Sequence, residues 1–223
     1  MTVSIAIQRI QVPPGQRVLL HEVDWSEFDA ILESLGDGQR PVLTDQRRAS
    51  RIAYLDGILE IMTPLPEHEY FKETISDAIK DIAETLALDY ESYGSTTWRL
   101  RAKQAGLEAD NCFYFQNEAQ VRGRLDVSLL QDPPPDLALE IDLTSKSLDR
   151  FPIYARLGVP EVWCYDAGCL TIHCLQDNAY AEVSYSLVFP QVDVRALPGI
   201  VEANRSAGRL ALRRAIRAWV REQ

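Results

Sequence analysis

The chain has 223 residues, 46% of them hydrophobic and 25% charged, with a formal net charge of −10. This composition excludes global disorder and is enough for one large domain with a sizeable core. The negative charge counts against a protein that coats nucleic acid with a basic face, but not against an enzyme that holds a divalent metal between carboxylates, because the metal brings its own positive charge.

Residues 1–14 carry no basic segment followed by a long apolar run, so no signal peptide is read there. No stretch approaches the roughly 20 apolar residues that span a bilayer. The expectation is a cytoplasmic protein with no membrane partner and with reduced thiols. Its four cysteines have no zinc spacing. Cys112, Cys164 and Cys174 lie in apolar runs and read as small core residues.

In chain order, residues 25–35 predict a helix, with Ser26 as N-cap and Gly36 as stop. Phe28, Ile31, Leu32 and Leu35 share its apolar face. Residues 51–62 predict a hairpin turning at Asp56 and Gly57. Residues 67–88 predict a long helix that buries Ile75, Ala78, Ile79, Ile82 and Leu86. Strands are expected at 96–100, 107–116, 137–143, 161–166, 170–175 and 181–188. A short helix at 148–157 interrupts them, stopped by Gly158. The last predicted helix, 205–221, carries six arginines. They form either a phosphate-contacting face or, the preferred reading, the solvated face of an amphipathic helix. The layout predicts a single α/β domain over 1–223 with a mixed β-sheet flanked by helices.

The most informative segment is DLALEIDL, residues 136–143. Side chains alternate across a strand. Leu137, Leu139, Ile141 and Leu143 form an apolar face, and Asp136, Glu140 and Asp142 share the other with Ala138. Three acids without a base among them need a counter-charge, since like charges on one strand face repel and aspartate is a poor strand former. Oxygen ligands select Mg²⁺, Mn²⁺ or Ca²⁺. At about 3.3 Å per residue, Asp136 and Glu140 lie roughly 13 Å apart, too far to share an ion. The second ligand is therefore expected on a neighbouring strand about 4.8 Å away. Asp110 in EADNCFYF, residues 108–115, is the best candidate, the alternative being an aspartate that merely starts a strand.

The segments YLDGILEIMTPLPEH (54–68), EADNCFY (108–114), PDLALEID (135–142) and IYARLGVPEVW (153–163) together resemble the Uma-type putative restriction endonuclease family, abundant in photosynthetic bacteria and part of the PD-(D/E)XK nuclease-like superfamily. The resemblance spans about residues 20–166. It implies a restriction-endonuclease-like core over about 20–190, followed by the C-terminal helix. It also implies Mg²⁺- or Mn²⁺-dependent hydrolysis of phosphodiester bonds in nucleic acid, DNA foremost. Residue by residue, Asp110 takes the place of the motif's aspartate and Glu140 that of its acidic residue, and the carbonyl of Ile141 adds a metal ligand. Ala109 stands where the motif has proline, and Asp142 stands where it has the catalytic lysine. The cation is then either lost, leaving an inactive binding module, or relocated to Lys146 or Arg150. His68 is either a base or ligand-supporting group at the site or a histidine that caps its helix, and Glu60 is a further acidic candidate. The apolar stretch 161–187 offers an edge for a homodimer.

Overall fold

The computed structural model describes residues 11–35, 50–141 and 148–223, and within them the chain builds two sheets and six α-helices. The first sheet is antiparallel. It contains β1 (Arg17–Leu20), β2 (Arg51–Leu55), β3 (Ile58–Met62), β5 (Thr97–Leu100) and β6 (Ala105–Glu108), in the order β1-β3-β2-β6-β5. The second contains β4 (Glu91–Ser92), β7 (Asn111–Tyr114), β8 (Leu137–Ile141), β9 (Glu161–Asp166), β10 (Cys169–Gln176) and β11 (Ala179–Val183), in the order β11-β10-β9-β8-β7-β4. Its β8–β9 pair is parallel and the others are antiparallel, so the sheet is mixed, as expected.

The helices are α1 (Trp25–Ser34), α2 (Pro66–Thr85), α3 (Glu118–Val121), α4 (Phe151–Leu157), α5 (Leu197–Asn204) and α6 (Arg209–Val220). Helix α1 is capped by Asp24 rather than Ser26. The Asp24 carboxylate accepts from Glu27 N (2.9 Å), the Glu27 carboxylate accepts from Asp24 N (2.9 Å), and Ser26 Oγ donates to Asp24. An aspartate followed three residues later by a glutamate satisfies two backbone donors at once, and a serine inside that turn cannot match it. The hairpin turns at Asp56 and Gly57, with φ of 46° and 87°, left-handed values that favour glycine.

Three layers of packing place the site. Helix α1 covers β2 and β3 through Phe28, Leu32, Ile52, Tyr54, Leu59 and Ile61. Helix α2 lays Phe71, Ile75, Ile79 and Ile82 on the apolar face of the second sheet, which includes Leu137, Leu139 and Ile141. On the opposite face Ala138 packs into a core shared with α4 and the first sheet. Both faces of β8 are thus buried, so its acidic face points into the protein and not to solvent.

The strand expected over 107–116 is two strands in two sheets. Ala105–Glu108 pairs with β2 and β5, whereas Asn111–Tyr114 pairs with β4 and β8. The chain changes sheets at Ala109 and Asp110, both fully buried. An apolar run reads the same whether it stays in one sheet or crosses to another.

Candidate active site

The site forms at that crossing. Strands β7 and β8 pair with Asn111 opposite Leu139 and Cys112 opposite Ala138. One step further along this antiparallel register, Asp110 stands opposite Glu140. Such partners have Cβ atoms about 5 Å apart. The junction is fixed by Ile141 N, which donates to Asp110 Oδ2 at 2.8 Å.

Cations close around the two carboxylates from three other elements. His68, in the first turn of α2, points Nε2 at Asp110 Oδ2 (3.0 Å) and Nδ1 at Glu69 Oε1 (3.5 Å). Its ring is turned onto Asp110, so the helix-capping role is replaced by a contact inside the site. Arg51 of β2 spans three acids: Asp110 Oδ1 (3.3 Å), Glu108 Oε1 (3.2 Å) and Glu69 Oε1 (3.0 Å). Arg150, just before α4, donates to Glu140 Oε2, and Tyr154 Oη donates to Glu140 Oε1. Glu60 of β3 lies 3.8 Å from Arg150 and 3.6 Å from Arg17.

Burial and charge push the two carboxylates in opposite directions. Burial alone would raise Asp110, but the hydrogen bond and charge of His68, with Arg150 and Ile141 N–H, hold it below the usual carboxylate range. Burial lifts Glu140 to about 7, with the Asp110 charge adding to it and Arg150 opposing. Burial pulls on His68 in the neutral direction, yet its contacts with Asp110 and Glu69 prevail and raise it to about 9. The result is an ionised aspartate facing a glutamate poised to titrate near neutrality, the environment-driven separation seen where acids work in pairs.

The structure thus gathers Asp110, Glu140, Ile141, His68, Arg150 and Glu60. Asp142 and Lys146 lie outside the described residues. Asp136 sits apart, accepting from Phe115 N (2.7 Å), Asn117 N (3.0 Å) and Asn117 Nδ2 (2.6 Å), and so locks a turn. Arg51, Glu108, Glu69, Tyr154 and Arg17 were not anticipated. Tyr154 carried a signal, since it lies four residues after Arg150 on one helical face. Arg51 carried none, because its partners are 18 to 59 residues away. Arg205, Arg209, Arg214 and Arg221 are exposed, as expected for the solvated face of an amphipathic helix, whereas two others turn to a buried partner. Arg213 and Arg217 bind the buried Asp81 of α2 (2.6–3.0 Å), and Arg209 reaches Thr74 Oγ1 (2.5 Å).

The model of the family described as "Putative restriction endonuclease" (Uma2) matches residues 39–212. The chain belongs to this family. No curated protein matches it. Among solved structures, the chain is similar to one described as a putative nuclease belonging to DUF820 from Anabaena variabilis ATCC 29413, with 14% identity and a TM-score of 0.46 over 80% of this chain and 94% of that one.

The donor set suits a hard divalent ion. Among the described residues no three His, Cys, Asp or Glu side chains form a ready-made cage. Mg²⁺, however, is usually held by one or two carboxylates, with waters and substrate oxygens filling the rest. The Asp110–Glu140 pair supplies two such carboxylates on adjacent strands.

Proposed function

We propose that this Uma2-family chain is a Mg²⁺- or Mn²⁺-dependent endonuclease that hydrolyses phosphodiester bonds in nucleic acid, DNA foremost. The observation that carries the reading is the buried Asp110–Glu140 pair, set opposite each other where β7 and β8 meet, with Asp110 lowered and Glu140 raised. Asp110, Glu140 and the Ile141 carbonyl would hold the metal. When bound, it would polarise the phosphate and lower the pKa of a water.

The chain's own residues do the positioning. Arg51 and His68 keep Asp110 ionised and fixed. Tyr154 and Arg150 orient Glu140 through its two oxygens. Arg150 is the described cation nearest the carboxylate pair and supplies positive charge to a phosphate. As an arginine it stays protonated and carries no proton away from water. Asp142 and Lys146, between Glu140 and Arg150 in the chain, belong to the expected set.

The test is cleavage of plasmid and oligonucleotide panels in Mg²⁺ and Mn²⁺ by the wild type and Glu140→Gln. Cleavage by the wild type, slowed on the order of 10²–10³-fold in the variant, is expected; no cleavage by either removes the reading. A second reading, a nuclease-fold binding module without turnover, is favoured by one observation: Arg51 and Arg150 already neutralise the two carboxylates. Titration calorimetry separates the two. Micromolar Mn²⁺ binding that is lost in Asp110→Asn supports the enzyme, and no heat in the wild type supports the module.

A further inference from the structure

The cations around the carboxylate pair hold it in different ways. Arg51 is spread over three acids, Asp110 at 3.3 Å, Glu108 at 3.2 Å and Glu69 at 3.0 Å, and its side chain is 7% exposed. His68 is likewise shared, between Asp110 and Glu69. Arg150 is placed differently. It donates to Glu140 Oε2, its charge also bears on Asp110, and its side chain is 19% exposed. Together with Glu140 and Glu60 it lines the pocket that opens beside the pair. A cation that acts on both carboxylates from the pocket side occupies the ground that a shared ion needs.

A metal ion and this guanidinium exclude each other on Glu140. Mg²⁺ takes a carboxylate oxygen at about 2.0–2.1 Å. A guanidinium hydrogen-bonded to the same carboxylate then lies within a few ångströms of a double positive charge, in a buried setting that screens little. Tyr154 raises no such conflict. Its hydroxyl is a neutral donor, and a carboxylate offers about four lone-pair positions, so Glu140 can keep Tyr154 and accept an ion. Arg150 also has a second acid within reach. Glu60 Oε1 lies 3.8 Å from Arg150 Nη2, and a movement of about 1 Å shortens that ionic contact to a hydrogen bond. Glu60 is buried in β3, a fixed target for a side chain that moves.

We infer that Arg150 is the resident counter-ion of the metal site: in the metal-free protein it closes Glu140 to cations, and a divalent ion binds by displacing it toward Glu60. This deepens the nuclease reading and rests on the Asp110–Glu140 pair being its metal site. It also reconciles carboxylates that are already neutralised with a metal-dependent reaction, because one of the neutralising charges leaves as the ion arrives.

The test is Mn²⁺ titration calorimetry at about pH 8 on the wild type and Arg150→Gln, with thermal melts to establish that both are folded. An opposite charge close to a carboxylate changes its proton affinity by about 10–10³-fold. A dication feels that charge twice as strongly, so its gain outlasts the stiffer competition from protons in the variant. Arg150→Gln is therefore expected to bind Mn²⁺ about tenfold or more tighter than the wild type. A crystal of the wild type soaked in Mn²⁺ needs no variant and reads the displacement itself: an ion on Glu140, with the guanidinium beyond ion-pair distance of that carboxylate, is expected. Equal or weaker binding by Arg150→Gln, or an ion and the guanidinium together on Glu140, overturns the inference and leaves the nuclease reading intact. Binding by neither protein overturns both. Tighter binding by the variant, with no cleavage of any nucleic acid by the wild type, overturns the nuclease reading and leaves the counter-ion standing.

Discussion

Asp81 and Glu140 are both buried carboxylates gripped by arginines, yet they do different work. Asp81 on α2 is fully buried, and its two oxygens receive Arg213 and Arg217 from α6. The contact joins two helices, and among the described residues no second buried carboxylate faces it. Glu140 also has an arginine, but it stands opposite Asp110 and lines a pocket. An arginine–carboxylate pair by itself therefore marks a fastening. A site is marked by two acids forced together against their mutual repulsion, with open space beside them.

The comparison can be broken first at the fastening. The double variant Arg213→Ala/Arg217→Ala strips a fully buried aspartate of both partners. It is expected to cost about 3–5 kcal/mol in urea unfolding while leaving cleavage per folded molecule unchanged. Lost cleavage at intact stability would instead make α6 part of the site. Glu140→Gln has the opposite signature, a fall on the order of 10²–10³ in kcat, since it removes a charge that matters in the transition state. Steady-state kinetics on both variants decide whether the two pairs are as different as their geometry.

How far each region was legible in the sequence follows the same division. Glu140 was read from alternation along one strand, and Asp110 from the requirement for a ligand on a neighbour. Both arguments use distances that a strand fixes. The sheet change at Asp110 was not legible, because Leu107 and Ala109 before the corner and Phe113 and Phe115 after it keep one alternating register and read as a single strand. Arg51 and Arg17 were invisible for a related reason: they reach the site only because β2 and β3 lie against the crossing. The arginines of α6 were visible as a charged face, but the sequence does not say that Asp81, 132 residues before Arg213, is waiting inside. Short-range order is written locally; the partners of buried charges are written in the topology.

A smaller effect separates the regions by pH. Glu140, raised to about 7, favours the folded state when protonated, so its contribution is present below its ordinary value near 4.5 and is lost as pH rises through 7. His68, raised to about 9, contributes fully below about 6.5 and loses that contribution as pH rises through 9. Glu69, lowered to about 2 first by His68, contributes above about 4.5 and loses that contribution as pH falls through 2. The metal-free protein is therefore expected to be most stable near pH 4.5, to lose on the order of 3 kcal/mol by pH 7 as Glu140 ionises, and to lose about as much again by pH 9 as His68 deprotonates. The first step alone corresponds to a fall in Tm of about 6–12 °C, measured by thermal melts in EDTA. A Tm flat from pH 6 to 9 would mean that the carboxylate pair carries no such strain.

The smallest expected effect isolates positioning from charge. Tyr154 Oη donates to Glu140 Oε1, while Arg150 holds the other oxygen. Tyr154→Phe keeps the ring, its packing and every formal charge, and removes one hydrogen bond. If Tyr154 orients Glu140 for a metal, Mn²⁺ affinity measured by calorimetry falls about tenfold, the usual cost of losing a group that orients a ligand. Losing a donor to the carboxylate also disfavours its charged form, so the midpoint of the Glu140 titration moves up. A fastening predicts something else: stability falls by about 1.5–3 kcal/mol, the worth of a hydrogen bond to a charged group, with metal affinity unchanged. Whichever quantity moves decides whether Glu140 resembles Asp81 or stands apart from it.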